Sequence, residues 1–224
     1  MRTRTYFKLA ITALLATTAL AALVGTASAR NLSVSNQSIR VTWRSLEFVG
    51  AFGIAVRCPV TLEGTFHART IAKVERTLIG YITAARSKSE SCTNGRGWAY
   101  NGTERLEGVT LPNSLPWHLT YERFTGTLPN IERVAILLSN ARFRIQDPFG
   151  VLCIYTTGSR GNATGTGTRN AVSGVIDNLV ASGSITPDAG SGESCPNPGR
   201  FSSPATDGII TLLGATTKIT VTLI

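Results

Sequence analysis

The stretch Ile39-Arg-Val-Thr-Trp-Arg44 alternates large apolar residues with charged or hydroxyl-bearing residues at every second position. Two later stretches repeat the pattern, Trp117-His-Leu-Thr-Tyr-Glu122 and Lys218-Ile-Thr-Val-Thr-Leu223. Successive side chains of a β-strand point to opposite faces, so each stretch places one face on a core and the other in water. We therefore expect half-buried antiparallel strands, with Trp43 and Trp117 in the core.

Glycine, proline, asparagine and serine separate these stretches and favour many short strands joined by turns. In Asp147-Pro-Phe-Gly150, proline and glycine occupy positions that a type I turn favours, which predicts a hairpin between 134–146 and 151–157. No internal repeat or linker divides the chain. The expected fold class is all-β, a single antiparallel β-sandwich or small barrel.

Other segments depart from strand alternation. The apolar residues of 171–182 recur at helical spacing behind Asn170, a residue type common at helix starts. This segment therefore stays open between a strand and one short helix. The polar stretches 86–97, 158–170 and 183–204 are interpreted as surface loops.

Residues 1–29 have the pattern of a secretory signal peptide. Three basic residues precede an apolar run that ends at Ala27-Ser-Ala29, a typical cleavage site, and Arg30 would begin the mature chain. A retained membrane anchor is the alternative, which the threonines within the run and the cleavage site disfavour. Nothing later approaches the ~20 apolar residues of a bilayer span. We expect one secreted domain, 30–224, outside the cell or in the cell envelope.

Charge gives a weak indication of partners. The chain has 22 basic and 13 acidic residues, and three of the basic ones lie in the leader, so the mature chain carries +6. Such a charge produces a weak, salt-sensitive attraction to anionic surfaces such as cell-wall polymers. Arg142 and Arg144, on either side of Phe143, have the spacing of an ordinary solvated strand face. A nucleic-acid-binding protein would need more basic and aromatic residues clustered together. Nucleic acid is therefore not the expected partner.

Four cysteines in an exported chain indicate disulfide bonds. Three pairings are possible, and spacing alone does not choose among them. Cys58 and Cys153 lie in apolar, strand-like runs, whereas Cys92 and Cys195 lie in polar loops. The simplest arrangement ties each strand to the next long loop, as Cys58–Cys92 and Cys153–Cys195. A zinc site is the rival interpretation, but the chain has no C-x-x-C pair.

The residue types and spacings disfavour the commonest catalytic chemistries. The chain contains no G-x-S-x-G nucleophile motif, no H-E-x-x-H zinc motif and no D-x-D-x-D-G calcium loop. His118 lies in an alternating stretch and is expected to face solvent, and His67 is expected at a strand end or in a loop. The glycine-rich stretch 158–168 lacks the Gly-Lys-Ser/Thr of phosphate-binding loops. We expect no catalytic residue, no cofactor and no metal ion.

Paired carboxylates stay open as an alternative. Glycoside hydrolases use two carboxyl groups about 5–10 Å apart across a cleft. The glutamates available for such a pair are Glu63, Glu104, Glu107 and Glu122. Scattered glutamates on strands and loops are more often solvated, so a hydrolase is the alternative and not the expectation.

Two aromatic residues are the candidate ligand contacts. Trp98 and Tyr100 lie in the glycine-rich segment 94–102. Exposed rings on such a loop can present a flat apolar surface to a sugar or to a protein. The alternative is that these rings fold back over the domain and belong to its packing.

Three runs carry a resemblance to a known group of proteins: Val56-Arg-Cys-Pro-Val-Thr-Leu-Glu-Gly-Thr-Phe66, Leu115-Pro-Trp-His-Leu-Thr-Tyr121 and Leu212-Leu-Gly-Ala-Thr-Thr-Lys-Ile-Thr-Val-Thr-Leu-Ile224. They resemble small secreted proteins of GC-rich bacteria, and the similarity covers most of the mature chain. The resemblance implies export and a β fold. That group has no assigned activity and supplies no catalytic motif.

The functional hypothesis is a non-catalytic secreted module that interacts with the cell surface or the extracellular matrix. Its candidate partners are a cell-wall polymer, a polysaccharide or another secreted protein. The alternative is a secreted carbohydrate-binding module or glycan-active hydrolase that uses Trp98, Tyr100 and nearby glutamates.

Overall fold

Strands make up almost all of the regular structure in the computed structural model of the chain, which describes residues 31–99, 105–106, 109–110, 114–127 and 130–224. The strands are β1 (Asn31–Val34), β2 (Ser38–Val49), β3 (Ala55–Phe66), β4 (Thr70–Ala72), β5 (Leu78–Ser87), β6 (Arg96–Ala99), β7 (Arg105–Leu106), β8 (Val109–Thr110), β9 (Trp117–Thr125), β10 (Arg133–Ser139), β11 (Arg142–Gln146), β12 (Leu152–Thr156), β13 (Ala163–Arg169), β14 (Ile176–Pro187), β15 (Gly199–Ser202), β16 (Gly208–Leu212) and β17 (Val221–Leu223). Single 3-10 turns occur at Ala51–Gly53 and Ser89–Ser91. The predicted leader lies outside the described residues.

Antiparallel pairing closes eight strand positions into a barrel. The order around the wall is β13, β10, β9, β5, β3 and β2, followed by β14, which pairs with β13 again. Between β2 and β14, the short strands β15 and β16 pair with both neighbours and together fill one position. Closure leaves this wall without free sheet edges. The predicted all-β class is therefore confirmed, in its barrel form.

Smaller sheets extend the barrel at both ends. The end of β14 pairs with β12, which continues through β11 to β6. At the other end, β1 pairs with β4 and β17. Leu32, Ile71 and Val221 of this three-stranded sheet are buried in the same core as the barrel residues. The two extensions therefore cover the openings that a bare barrel would leave.

The alternating stretches form half-buried strands as predicted, the first two in the barrel wall and the third in the three-stranded sheet. Trp43 and Trp117 are buried in the core, 5% and 0% exposed, and Ile219 and Val221 are buried near the C-terminus. None of the helical turns in the described residues has the length or apolar character needed to cross a bilayer.

The predicted hairpin around residues 147–150 is right in its second half. β11 and β12 pair directly, and Asp147 Oδ1 accepts hydrogen bonds from the N–H groups of Phe149 and Val151. Residues 134–139 do not belong to this hairpin, because β10 is a separate strand that pairs with β9 and β13. Local turn chemistry identified the turn but not the length of the strand before it.

All three stretches predicted as loops are partly strands. Residues 86–97 contain the end of β5 and the start of β6, 158–170 contain β13, and 183–204 contain the end of β14 and all of β15. The glycine and threonine alternation of β13 has too little apolar character to be recognised as a strand on its own. Its hydrogen bonds to β10 and β14 fix it as one.

The segment left open at 171–182 is a strand after a tight turn. Asn170 Oδ1 accepts from the N–H groups of Val172 and Ser173, and Gly174 adopts a φ of +72°. That glycine stops the helical turn after one round, and β14 begins two residues later.

Candidate functional site

A cavity of about 110 Å³ lies inside the barrel. Leucine, isoleucine and valine side chains form most of its wall, and its aromatic members are Trp43, Phe66, Phe143 and Phe201. Protein interiors contain few voids larger than one water molecule, so a space of this size is unusual for a native core. It is the strongest candidate for a functional site in the barrel itself.

The cavity exists because β13 projects little side-chain volume into the barrel. Its inward-facing residues on the cavity wall are Ala163, Gly165 and Gly167. A Cβ on Gly165 would be 3.8 Å from Leu179 Cδ1, an ordinary contact with space beyond it. A Cβ on Gly167 would be 2.8 Å from Ile176 Cγ2, so packing itself requires glycine there. Gly165 is thus the glycine whose small size leaves space unfilled.

Apolar groups from both ends of the barrel contribute to the cavity wall. Leu32, Val34 and Ile71 of the three-stranded sheet contribute to its wall at the end where β2 begins. At the other end, the Phe143 ring packs 5.2 Å from Phe48 and 6.5 Å from Phe201, measured between ring centroids. A ligand inside would therefore be surrounded by hydrocarbon and aromatic surface.

The chemistry available inside the cavity is limited to apolar contact. Among the described residues that line it, none is titratable, and Thr164 carries the single side-chain hydroxyl. The indole N–H of Trp43 is already bound to the carbonyl of Leu179 at 3.1 Å. This wall offers no general acid, no base and no nucleophile.

Two buried tyrosines lie outside this wall. Burial raises the pKa of Tyr121, and burial also raises the pKa of Tyr155 to about 12. The Tyr155 hydroxyl donates to the carbonyl of Val49 at 3.3 Å. Both phenols are therefore neutral at ordinary pH and act as packing groups.

The predicted cysteine pairs are both present. Cys58 bonds to Cys92, which ties β3 to the segment after β5. Cys153 bonds to Cys195, which ties β12 to the segment before β15. The described residues contain no free cysteine and no group of three or more side chains placed to hold a metal ion.

The predicted aromatic loop is only partly described. Trp98 lies on β6, half-buried, with the Arg144 guanidinium carbon 4.5 Å from its ring centroid. Arg142, expected on a solvated face, forms an ion pair with Asp188 instead. Tyr100 lies outside the described residues. One face of the Trp98 ring is thus covered by Arg144, which reduces the surface available to a sugar.

Both histidines lie against one tyrosine. The ring centroids of His67 and His118 are 4.8 Å and 5.3 Å from that of Tyr81. His67 follows the end of β3 and is exposed, and His118 is partly exposed on β9. These positions agree with the sequence-based expectation of a strand end and an outward-facing strand position.

The described glutamate candidates do not converge. Glu63 forms ion pairs with Arg40 and Arg86, and Glu122 forms one with Arg123. The strand β5 lies between β3, which carries Glu63, and β9, which carries Glu122. Glu63 is opposite position 84 of β5, and position 120 of β9, two residues before Glu122, is opposite position 78. These two levels are six residues apart along β5, or about 20 Å, which is too far for the paired carboxylates of a glycoside hydrolase. Glu104 and Glu107 lie outside the described residues.

The fold and cavity together define a closed antiparallel barrel with an apolar interior. Comparison with protein-family models, curated proteins and solved structures finds no match to this chain. The functional interpretation therefore depends on the geometry of the chain's own residues.

Sequence reasoning missed the interior cavity. Its one local signal is the alternation of Ala163, Gly165 and Gly167 with three threonines. In a strand, that alternation places the small residues on one face. Only the pairing of β13 with β10 and β14 shows that this face points into the barrel.

Proposed function

We propose that the mature chain acts outside the cell as a non-catalytic binding protein whose ligand is a small apolar molecule held inside the barrel. The apolar cavity beside Gly165 is the observation that carries this proposal. Eight-stranded barrels have interiors just wide enough to be filled by side chains or to hold one small ligand. Apolar cavities of about 150 Å³ stay dry and bind molecules such as benzene.

The absence of titratable groups from the described cavity wall supports binding without catalysis. A substrate enclosed there would meet no group able to transfer a proton or attack a bond. The partly buried state of Ile136, Leu138 and Leu179 also fits an unfilled interior, because these residues line the cavity beside β13.

Extracellular action is supported by the leader-like sequence of 1–29 and by the two disulfides. Disulfides persist in oxidising compartments and are rare in the cytosol. A secreted barrel with a dry interior is suited to carry or sequester an apolar molecule that water dissolves poorly. This gives the surface or matrix interaction module predicted from sequence a specific ligand class.

Toluene binding tests the proposal directly. The mature protein is titrated with toluene while the methyl resonances of cavity residues are followed by NMR and Tm is measured. We expect saturable shifts that include Leu179 and Ile136, together with a rise in Tm, because a ligand that binds only the folded state stabilises it.

A filled variant and a matched control make the test specific. Gly165→Val adds side-chain volume inside the cavity and should abolish the toluene shifts without lowering Tm. Thr166→Val, on the next residue of β13, should leave binding intact because position 166 belongs to the opposite strand face. Wild-type protein that shows no saturable shift would reduce the cavity to a packing void and overturn the proposal.

A further inference from the structure

A second, polar cavity of about 480 Å³ lies apart from the barrel interior. Its wall is formed by Arg76, Thr120, Ser139, Ser159 and Arg160, none of which lines the apolar cavity. We refer to these five residues as the arginine cleft. The volume is within the range of small-molecule sites, which is about 300–1,000 Å³.

Strand pairing places the two hydroxyl residues of the cleft on one surface. Thr120 of β9 is directly opposite position 137 of β10, and Ser139 lies two residues further along the same strand face. The odd-numbered β9 residues around Thr120 belong to the core, so Thr120 and Ser139 face away from the barrel interior.

Two loops complete the cleft and are tied to each other. Arg76 precedes β5, and Ser159 and Arg160 precede β13. The Arg76 backbone N–H donates to the carbonyl of Tyr121 at 2.7 Å, and its Nη1 donates to the carbonyl of Arg160 at 3.3 Å. Arg76 also adopts a φ of +62°, a left-handed conformation that a non-glycine residue holds only when its surroundings enforce it.

The charges in the cleft lack an effective counter-charge. The carboxylate of Glu75 is 3.8 Å from Arg76 Nε, but both side chains are more than half exposed, so this ion pair is weak. Arg160 forms no ion pair with any residue in the described part of the chain. Two guanidinium-bearing residues therefore share one cavity, and guanidinium groups suit oxyanions because their N–H groups match pairs of oxygen atoms.

Ser139 adds a hydroxyl group to the arginine cleft. The residue lines the cavity although it is only 4% exposed. A serine hydroxyl can donate one hydrogen bond to an oxyanion. An oxyanion in the cleft would accept this hydrogen bond and neutralise the adjacent arginines.

The geometry points to the arginine cleft as a binding site for a phosphate or sulfate group, carried either by a free ion or by a sugar. Arg76 and Arg160 bind the oxyanion, Ser139 donates a hydrogen bond to it, and Thr120 and Ser159 are available for hydroxyl groups of an attached sugar. This site is independent of the apolar cavity, and neither proposal requires the other.

Calorimetric titrations of the mature protein at low salt test the site with four probes: glucose 6-phosphate, glucose, inorganic phosphate and inorganic sulfate. We expect glucose 6-phosphate to bind at least about tenfold more tightly than glucose, with an affinity that falls as salt is added. Equal affinities for inorganic phosphate and glucose 6-phosphate support the site and assign it to the free ion. Tighter binding of the sugar phosphate supports it and assigns it to a phosphorylated glycan.

Variants separate the cleft from general attraction to a basic protein. Arg160→Gln and Ser139→Ala should each weaken glucose 6-phosphate binding by about tenfold, while Arg200→Gln removes an exposed arginine of β15 and should change nothing. All three variants should keep the far-ultraviolet circular dichroism spectrum and the Tm of the wild type, which shows that they fold. No binding by wild-type protein, or equal weakening by Arg200→Gln and Arg160→Gln, would overturn the inference.

Discussion

Trp43 on β2 donates its indole N–H to the backbone carbonyl of Leu179 on β14, across a distance of 3.1 Å. These two strands are not neighbours in the wall at this level, because Gly208 of β16 lies between them and is in register with both residues. The indole therefore crosses over Gly208 to reach the next strand but one. A single side chain thus links three strands at the point where the wall is built from short segments.

The first prediction concerns Gly208→Ala. The added Cβ would overlap the carbonyl oxygen of Leu179 and lie 2.5 Å from Trp43 Nε1, so the three strands must separate. We expect the free energy of unfolding to fall by about 3 kcal/mol, the upper range for overpacking. Urea unfolding followed by tryptophan fluorescence measures it. Gly165→Ala is the control, since its Cβ meets only ordinary contacts; equal stabilities of the two variants would contradict the argument.

The second prediction concerns Asp207, a buried carboxylate beside a bulge in β2. The register of β2 with β3 shifts between Trp43 and Leu46, and Asp207 Oδ2 accepts the Ser45 N–H at 2.6 Å. Asp207→Ala would leave that N–H without its partner, so we expect a loss of about 1–3 kcal/mol in the free energy of unfolding.

Arg44→Ala provides the matched comparison for Asp207. The Arg44 side chain, whose Nε is 3.3 Å from the same carboxylate, is 80% exposed, so its removal should cost less than about 0.5 kcal/mol. If the two variants lose the same stability, the ion pair rather than the Ser45 hydrogen bond is what matters at this position.

The third prediction concerns the two disulfides, whose cysteines are 34 and 42 residues apart. In the chain-entropy model each crosslink stabilises the fold by about 3–4 kcal/mol. We expect the double variants Cys58→Ala/Cys92→Ala and Cys153→Ala/Cys195→Ala each to lose about that much, measured by urea unfolding. Thiol titration of the denatured mature protein is the direct check on the bridges themselves, and any free thiol would count against them.

Sequence patterns were sufficient to predict the parts of the fold that depend on the order of residues along the chain. Alternation placed Trp43 and Trp117 in the core, which needs only the neighbouring residues. The pairing of Cys58 with Cys92 followed from the simplest arrangement, which ties each strand to the next polar loop along the chain. The strand alternation also limited the fold to a sandwich or a barrel, since both bury one face of each strand.

The closure of the barrel and both cavities depend on contacts between distant segments. β13 has few apolar residues, so its strand character comes from pairing with β10 and β14 and not from its own composition. The arginine cleft joins Arg76 to residues 159 and 160, which are more than 80 positions away. No periodicity within a short window predicts such a meeting.

The last prediction concerns pH and Tyr155. Burial raises the pKa of this phenol from 10.0 to about 12, so the folded chain keeps its proton at a pH where the unfolded chain has lost it. The stabilisation from the neutral phenol is therefore complete below pH 10 and disappears as the pH rises toward 12. Because proton binding is linked to folding, this pKa difference lowers the free energy of unfolding by about 2–3 kcal/mol between pH 10 and 12.

Urea unfolding across this pH range, with ultraviolet difference spectra of the phenolate, measures the loss. Tyr155→Phe removes the hydroxyl that donates to Val49, so it should be less stable at neutral pH by about 1 kcal/mol. It should also lose much less stability between pH 10 and 12. A smaller decline should remain because burial raises the pKa of Tyr121 as well. A variant whose alkaline decline equals that of the wild type would show that another group controls stability in this range.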